Sequence, residues 1–174
     1  MKTTKLKALG ACAEARAFAR RKKSYQEGWE KNKRVDWALW LLCHASEESR
    51  LIAVGLAADF AERALHLVPE VDREVCRAAV EAARAYSRDP SDENLRRCWV
   101  TYAARAAVAA AAVAAAAAAA AAATYAAADY AYAGYAARAA YAAAAADSFD
   151  EERRWQMARV LEVCPKCPIS EEGK

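Results

Sequence analysis

The sequence predicts an all-α protein, a helical bundle of about eight helices that includes a long alanine-rich helical hairpin. Only five glycines and four prolines occur in 174 residues, which excludes folds that need many tight turns, such as β-sandwiches. Residues 101–146 contain 32 alanines in 46 positions, and alanine has the highest intrinsic helix propensity. We predict one domain, 1–174, made of tryptophan-containing helices (1–90), the alanine-rich hairpin (91–146), and a C-terminal helix and tail (147–174).

The first three predicted helices precede residue 46. The first is Ala11–Arg20, and the second begins at Ser24 and carries Trp29. Ser24 and Glu27 have capping-box spacing, in which the serine hydroxyl accepts from the Glu27 amide and the glutamate accepts from the serine amide. The third helix places four residues on one face at i, i+3, i+4 and i+7: Trp37, Trp40, Leu41 and His44.

Three further helices are predicted between residues 46 and 102. Ser46 caps the fourth helix, on which Asp59 and Arg63 have the spacing of an outward-facing i, i+4 ion pair. The fifth helix stops before Pro90, and Ser91 caps the sixth. The predicted apolar faces are Ile52, Leu56 and Phe60 on the fourth helix, Cys76, Ala79, Val80, Ala83 and Tyr86 on the fifth, and Leu95, Cys98, Trp99 and Tyr102 on the sixth.

Residues 92–163 contain no proline, but they cannot form one helix. Such a helix would be about 108 Å long, whereas a compact domain of this size is about 40 Å across. One break is predicted at Ser148, which has capping-box spacing to Glu151, and another within residues 114–129. We expect Tyr102–Ala146 to form a closely packed hairpin, followed by a helix with Met157, Val160, Leu161 and Cys164 on one stripe.

Positive charge is concentrated near the N-terminus. Residues 1–34 contain eleven lysines and arginines against three glutamates, although the net charge of the whole chain is only +3. The densest cluster is Arg20, Arg21, Lys22 and Lys23. It is typical either of a binding patch for nucleic acid, a nucleotide or an acidic protein, or of a solvated helix end whose cations complement the helix dipole.

A second candidate binding cluster lies at the start of the third helix. Arg34 and Asp36 are charged residues next to the amphipathic rings of Trp37 and Trp40, a combination that is common at protein interfaces. The alternative is an ordinary helix N-terminus, where Asp36 complements the dipole and the tryptophans belong to the core.

Cys164 and Cys167 have the spacing of metal ligands or of a redox pair. A tetrahedral zinc site would need two more ligands, and Cys43 or His44 would supply them only if the fold brought the tail to the third helix. The alternative is a frayed tail in which Cys164 is the last core residue. We therefore predict no metal and no cofactor.

No arrangement of residues indicates catalysis, and we predict a protein that is not an enzyme. His66 has i, i+4 spacing to Glu62, and neither histidine has a nucleophile on its face. No export signal is evident, so we expect a cytoplasmic protein with reduced cysteines. Residues 106–128 are uncharged but lack large aliphatic side chains other than two valines, so we expect no membrane span.

Several segments resemble a family of alanine-rich immunity proteins. They are residues 34–42, which read Arg-Val-Asp-Trp-Ala-Leu-Trp-Leu-Leu, residues 61–69, which read Ala-Glu-Arg-Ala-Leu-His-Leu-Val-Pro, and the alanine- and tyrosine-rich second half. Members of that family occur in bacterial toxin systems and on phage genomes. The resemblance implies a cytoplasmic helical protein with an immunity or anti-defence role and no catalytic residues.

Three functions are therefore expected, in this order. The first is an interaction protein that binds and neutralises a protein toxin or effector. The second is a phage protein that sequesters a small ligand such as a nucleotide, with phosphates on the basic segment and a base stacked on the aromatic rings. The third is a nucleic-acid-binding accessory protein, whose affinity would fall steeply with salt. A homo-oligomer is compatible with all three.

Overall fold

The described part of the chain is all-α, as the sequence predicts. The structure is a computed structural model that describes residues 3–68, 70–100 and 149–169, and these contain helices and connecting turns but no strand. The predicted alanine-rich hairpin and the break at Ser148 lie outside these residues. The elements are α1 (Thr4–Ala8), α2 (Ala13–Arg20), α3 (Tyr25–Glu30), α4 (Val35–Ala45), α5 (Glu47–Arg63), a 3-10 turn (Leu65–Leu67), α6 (Glu70–Arg88), α7 (residues 92–100) and α8 (Phe149–Val163).

Helix α5 is the centre of the core. It packs against α4 and α6 along most of its length and also contacts α8. Phe60 and Leu56 are fully buried, and the small alanines between them allow the axes of neighbouring helices to approach closely. The buried alanines on α5 and α6 are Ala53, Ala57, Ala58, Ala61, Ala79, Ala82 and Ala83.

The predicted caps Ser24, Ser46 and Ser91 are confirmed, with one difference in bonding, whereas the helix predicted from Ala11 begins at Ala13. Ser46 accepts from the Ser49 amide at 3.1 Å, and Ser24 accepts from the Glu27 amide at 3.0 Å. The Glu27 carboxylate, however, accepts from the amide of Lys23 rather than from that of Ser24. The chain also forms α1, a short helix that the sequence pattern did not predict.

The predicted ion pair between Asp59 and Arg63 is wrong. Asp59 accepts instead from Arg84 of α6 at 2.8 Å and from Arg159 of α8 at 2.9 Å, while Arg63 donates to Glu152 of α8 at 2.7 Å. The i, i+4 spacing predicts only local neighbours, whereas here the charges of adjacent helices compete for the same carboxylate. These bonds connect α5 to α6 and to α8.

The predicted apolar faces are largely correct. All five residues of the α6 face are buried, as are Met157 and Val160 on α8. On α7, Cys98 is buried but Trp99 is 45% exposed, so this tryptophan is not a core residue in the described part of the chain.

Candidate functional site

Two neighbouring rings with a cation at each end form a row between α2 and α4. The Lys22 ammonium lies 4.6 Å from the centre of the Phe18 ring, and the Phe18 and Trp37 rings are 5.8 Å apart. The Arg34 guanidinium lies 4.6 Å from the centre of the Trp37 ring. Cations over aromatic faces are attracted by the ring quadrupole, so these contacts stabilise the orientations of the four side chains.

Arg34 and Asp36 form a forked ion pair at one end of this row. The Arg34 Nε and Nη2 donate to the two carboxylate oxygens at 2.9 and 2.7 Å. The hydrogen bond to Asp36 raises the pKa of Arg34, which therefore stays charged. Asp36 lies in the first turn of α4, where a carboxylate also complements the helix dipole.

Asn32 fixes the backbone before α4. Its side-chain amide donates to the Arg34 carbonyl at 2.8 Å, and its oxygen accepts from the Arg34 amide at 2.9 Å. Both bonds are to the main chain of Arg34, so they orient the residue whose side chain carries the ion pair. Sequence reasoning missed this role of Asn32, since a polar residue in a loop has many ordinary uses.

The tryptophans of α4 lie on its half-buried face. Trp37 and Trp40 are half-buried, whereas α4 buries six other residues in the core: Val35, Ala38, Leu39, Leu41, Leu42 and Cys43. Trp40 packs against the core with one side, so the two predicted interpretations of this cluster are combined in its position. His44 is exposed, stacks on the Trp40 ring at 4.5 Å, and bonds the Trp40 carbonyl through Nδ1.

An apolar cavity of about 70 Å³ opens beside the two tryptophans. It lies where α2, α3 and α4 meet the C-terminal tail. Apart from Asn32 its lining is apolar or aromatic: Leu6, Ala15, Phe18, Ala19, Tyr25, Gly28, Trp29, Trp37, Trp40, Leu41, Cys167 and Ile169. The predicted cluster of Arg34, Asp36, Trp37 and Trp40 is thus one site with an apolar centre and a charged rim.

The basic cluster touches this site through one of its four members. Lys22 is half-buried against Phe18, whereas Arg20, Arg21 and Lys23 are exposed at the end of α2 and just after it. The helix-end position is favourable for cations, and the exposed side chains of Arg20, Arg21 and Lys23 are accessible to a negatively charged ligand. Both interpretations of the cluster therefore stay open.

The two tail cysteines are held against α3 rather than frayed. The Trp29 indole donates to the Cys164 carbonyl at 2.8 Å, and Ile169 is buried. Within the described residues, no three histidine, cysteine or acidic side chains come together as metal ligands. Cys43 is buried in the core and His44 stacks on Trp40.

Burial changes the chemistry of two core thiols. Desolvation raises the pKa of Cys43 to about 12 and that of Cys98 to about 11, because a thiolate is disfavoured in apolar surroundings. An unfolded thiol titrates near pH 8.5. Between these values the unfolded state releases its proton first, so the folded state loses stability as the pH rises.

We expect this effect to appear in alkaline denaturation. Between pH 7.5 and pH 9.5, the free energy of unfolding of the natural chain should fall by about 1 kcal/mol more than that of the Cys43→Ala variant. Urea titrations of both proteins at the two pH values measure the difference, and lysine and tyrosine titration is common to both. An equal loss in the two proteins would show that the Cys43 thiol titrates normally.

Comparison with known proteins gave no match: no family model, no curated protein and no solved structure matches the chain. The resemblance to alanine-rich immunity proteins therefore stays a prediction. Among the described helices, none is both long and apolar enough to cross a membrane. The uncharged stretch 106–128 lies outside the described residues.

Proposed function

We propose that the protein is a non-enzymatic interaction protein that binds and neutralises a protein toxin or effector through the face formed by Arg34, Asp36, Trp37 and Trp40. The observation that carries the proposal is the half-exposed Arg34–Trp37–Phe18 stack at the edge of an apolar cavity. Tryptophan and arginine are the residue types most enriched among interface hot spots, particularly around well-packed pockets.

The size of the cavity favours a protein partner at this site. Pockets for drug-sized molecules occupy about 300–1,000 Å³, and an engineered cavity that binds benzene has about 150 Å³. A cavity of about 70 Å³ accommodates only part of one apolar side chain. A partner that inserts such a side chain would cover the surrounding rings and arginine and exclude water from them.

The resemblance to immunity proteins indicates which class of protein binds at this interface, namely a toxin. The segment that resembles alanine-rich immunity proteins, residues 34–42, begins with Arg34 and Asp36 and contains both tryptophans of the site. An immunity protein acts by binding alone, which agrees with a site whose chemistry is stacking, ion pairing and apolar contact. Neutralisation then follows from covering the surface that the toxin needs.

The test is co-expression with the toxin candidate encoded by the neighbouring gene. We expect the natural chain to restore growth and to bind the toxin, and Trp37→Ala to weaken binding 10- to 100-fold, since hot-spot truncations cost about 1.4–3 kcal/mol. Trp99→Ala is the matched control, because Trp99 is a partly exposed tryptophan on α7, a helix that contributes no residue to this site. Equal binding by the Trp37 and Trp99 variants, or no binding by the natural chain, would contradict the proposal.

A small-molecule function is the second candidate, and a different cleft favours it. Between α5, α6 and α8 the structure contains a cleft of about 410 Å³, which is the usual size of a small-molecule pocket. The residues that line it include Leu51, Ile52 and the exposed Arg88. Calorimetry against a panel of nucleotides tests this candidate: binding that Arg88→Ala weakens and Trp37→Ala leaves unchanged would support it.

A further inference from the structure

Three hydrogen bonds join side chains of α3 to the tail, and all three go to main-chain atoms of the tail. Gln26 Nε2 donates to the Pro165 carbonyl at 2.9 Å, and Gln26 Oε1 accepts from the Cys167 amide at 2.7 Å. The Trp29 indole donates to the Cys164 carbonyl at 2.8 Å.

The Gln26 side-chain amide bonds the tail in the pattern of a neighbouring β-strand, with one bond to a carbonyl and one to an N–H. Its donor and its acceptor lie side by side, and they bond the carbonyl of residue 165 and the amide of residue 167. Bonding through main-chain atoms does not depend on the side chains of the segment, so such a contact accepts many sequences. A segment that binds in this way needs a main-chain N–H at the position of Cys167 to donate to Gln26, and proline lacks this N–H.

The side chains of the same segment reach the aromatic cavity. Cys167 and Ile169 line it together with Trp37 and Trp40, and Ile169 is buried there. The tail therefore occupies one end of the surface on which the proposed function places the partner. Unfilled apolar space of about 70 Å³ remains beside it.

We propose that Gln26, Trp29 and the aromatic cavity form a peptide-binding groove in which residues 164–169 are the resident occupant. An extended segment of the partner protein docks in this groove by displacing them. Its chemistry follows from the tail: a main-chain N–H at the position of Cys167, which donates to Gln26, and an apolar side chain two residues later, where the tail has Ile169. The inference rests on the proposed function in one respect, that the occupant belongs to a protein.

The chain's own cysteine reports displacement of the tail. Cys167 is half-buried in the groove, so local opening of the tail exposes it further and accelerates its alkylation by iodoacetamide. With the full-length protein, the alkylation rate of Cys167 is measured by mass spectrometry of its peptide. Gln26→Ala removes two hydrogen bonds, each worth about a factor of five, so we expect alkylation about tenfold or more faster than in the natural chain. Glu30→Ala is the matched control, because it removes the Glu30 bond to Gln26 and leaves the tail bonds in place.

A synthetic peptide tests exchange directly. It has the sequence of residues 163–169 with serine in place of both cysteines, and we expect it to accelerate Cys167 alkylation in the natural chain until the effect saturates. The same peptide with proline at the position of Cys167 should have no effect. The proposal is overturned if Gln26→Ala and Glu30→Ala alkylate at the same rate, or if the two peptides act alike, including if neither acts. Since no toxin is present, this outcome is independent of whether the partner is a toxin.

Discussion

Replacing Phe60 with alanine is expected to lower the free energy of unfolding by about 3–5 kcal/mol. Phe60 is fully buried on α5, and its ring meets the Trp155 ring of α8 edge-on at 5.9 Å. Alanine removes the buried ring, leaves a cavity and deletes this contact between helices. Urea denaturation followed by circular dichroism measures the change.

The control for this prediction is a surface position. Val71 is 85% exposed on α6, so Val71→Ala should change the free energy of unfolding by less than about 0.5 kcal/mol. If Phe60→Ala cost no more than Val71→Ala, α5 would not be the centre of the core. If Phe60→Ala changed the slope of the free energy of unfolding against urea concentration rather than the urea midpoint, a two-state comparison of the variants would not apply.

Replacing Trp29 with alanine is expected to cost about 3–5 kcal/mol as well. Trp29 is buried on α3, lines the aromatic cavity and donates its indole N–H to the Cys164 carbonyl. Alanine therefore removes both a core ring and the bond that holds the start of the tail. The same urea titration measures the loss.

The matched variant is Trp29→Phe, which retains a ring but lacks the N–H donor. We expect it to cost about 1–2 kcal/mol, because the partly buried Cys164 carbonyl loses its hydrogen bond. Equal losses for Trp29→Ala and Trp29→Phe would mean that the hydrogen bond alone accounts for the role of Trp29. A negligible loss for both would contradict the docking of the tail on α3.

The sequence predicts much of the fold because helix signals are local. Ser46 and Ser24 cap helices at the predicted positions, and the α6 stripe from Cys76 to Tyr86 is buried as its spacing requires. The Asp59–Arg63 pairing failed because spacing along one helix carries no information about Arg84 and Arg159, which approach from other helices.

In the candidate site, too, local features were predictable from the sequence and contacts between distant segments were not. Arg34, Asp36, Trp37 and Trp40 are adjacent in sequence, so the cluster was predictable, although its half-exposed position was not. Phe18 is four residues before Lys22, but α2 ends at Arg20, so helical spacing does not predict their contact. The contacts of Gln26 and Trp29 with the tail span 135 to 141 residues, and no local pattern reveals them.

Native mass spectrometry of the chain, purified gently from the cells that produce it naturally, tests the central claim most directly. The account predicts that the natural chain and the Trp99→Ala variant retain the same protein partner, and that the Trp37→Ala variant loses it. A partner retained equally by all three proteins, or a bound nucleotide in place of any protein, would contradict a protein-binding function of the Arg34–Trp37 face.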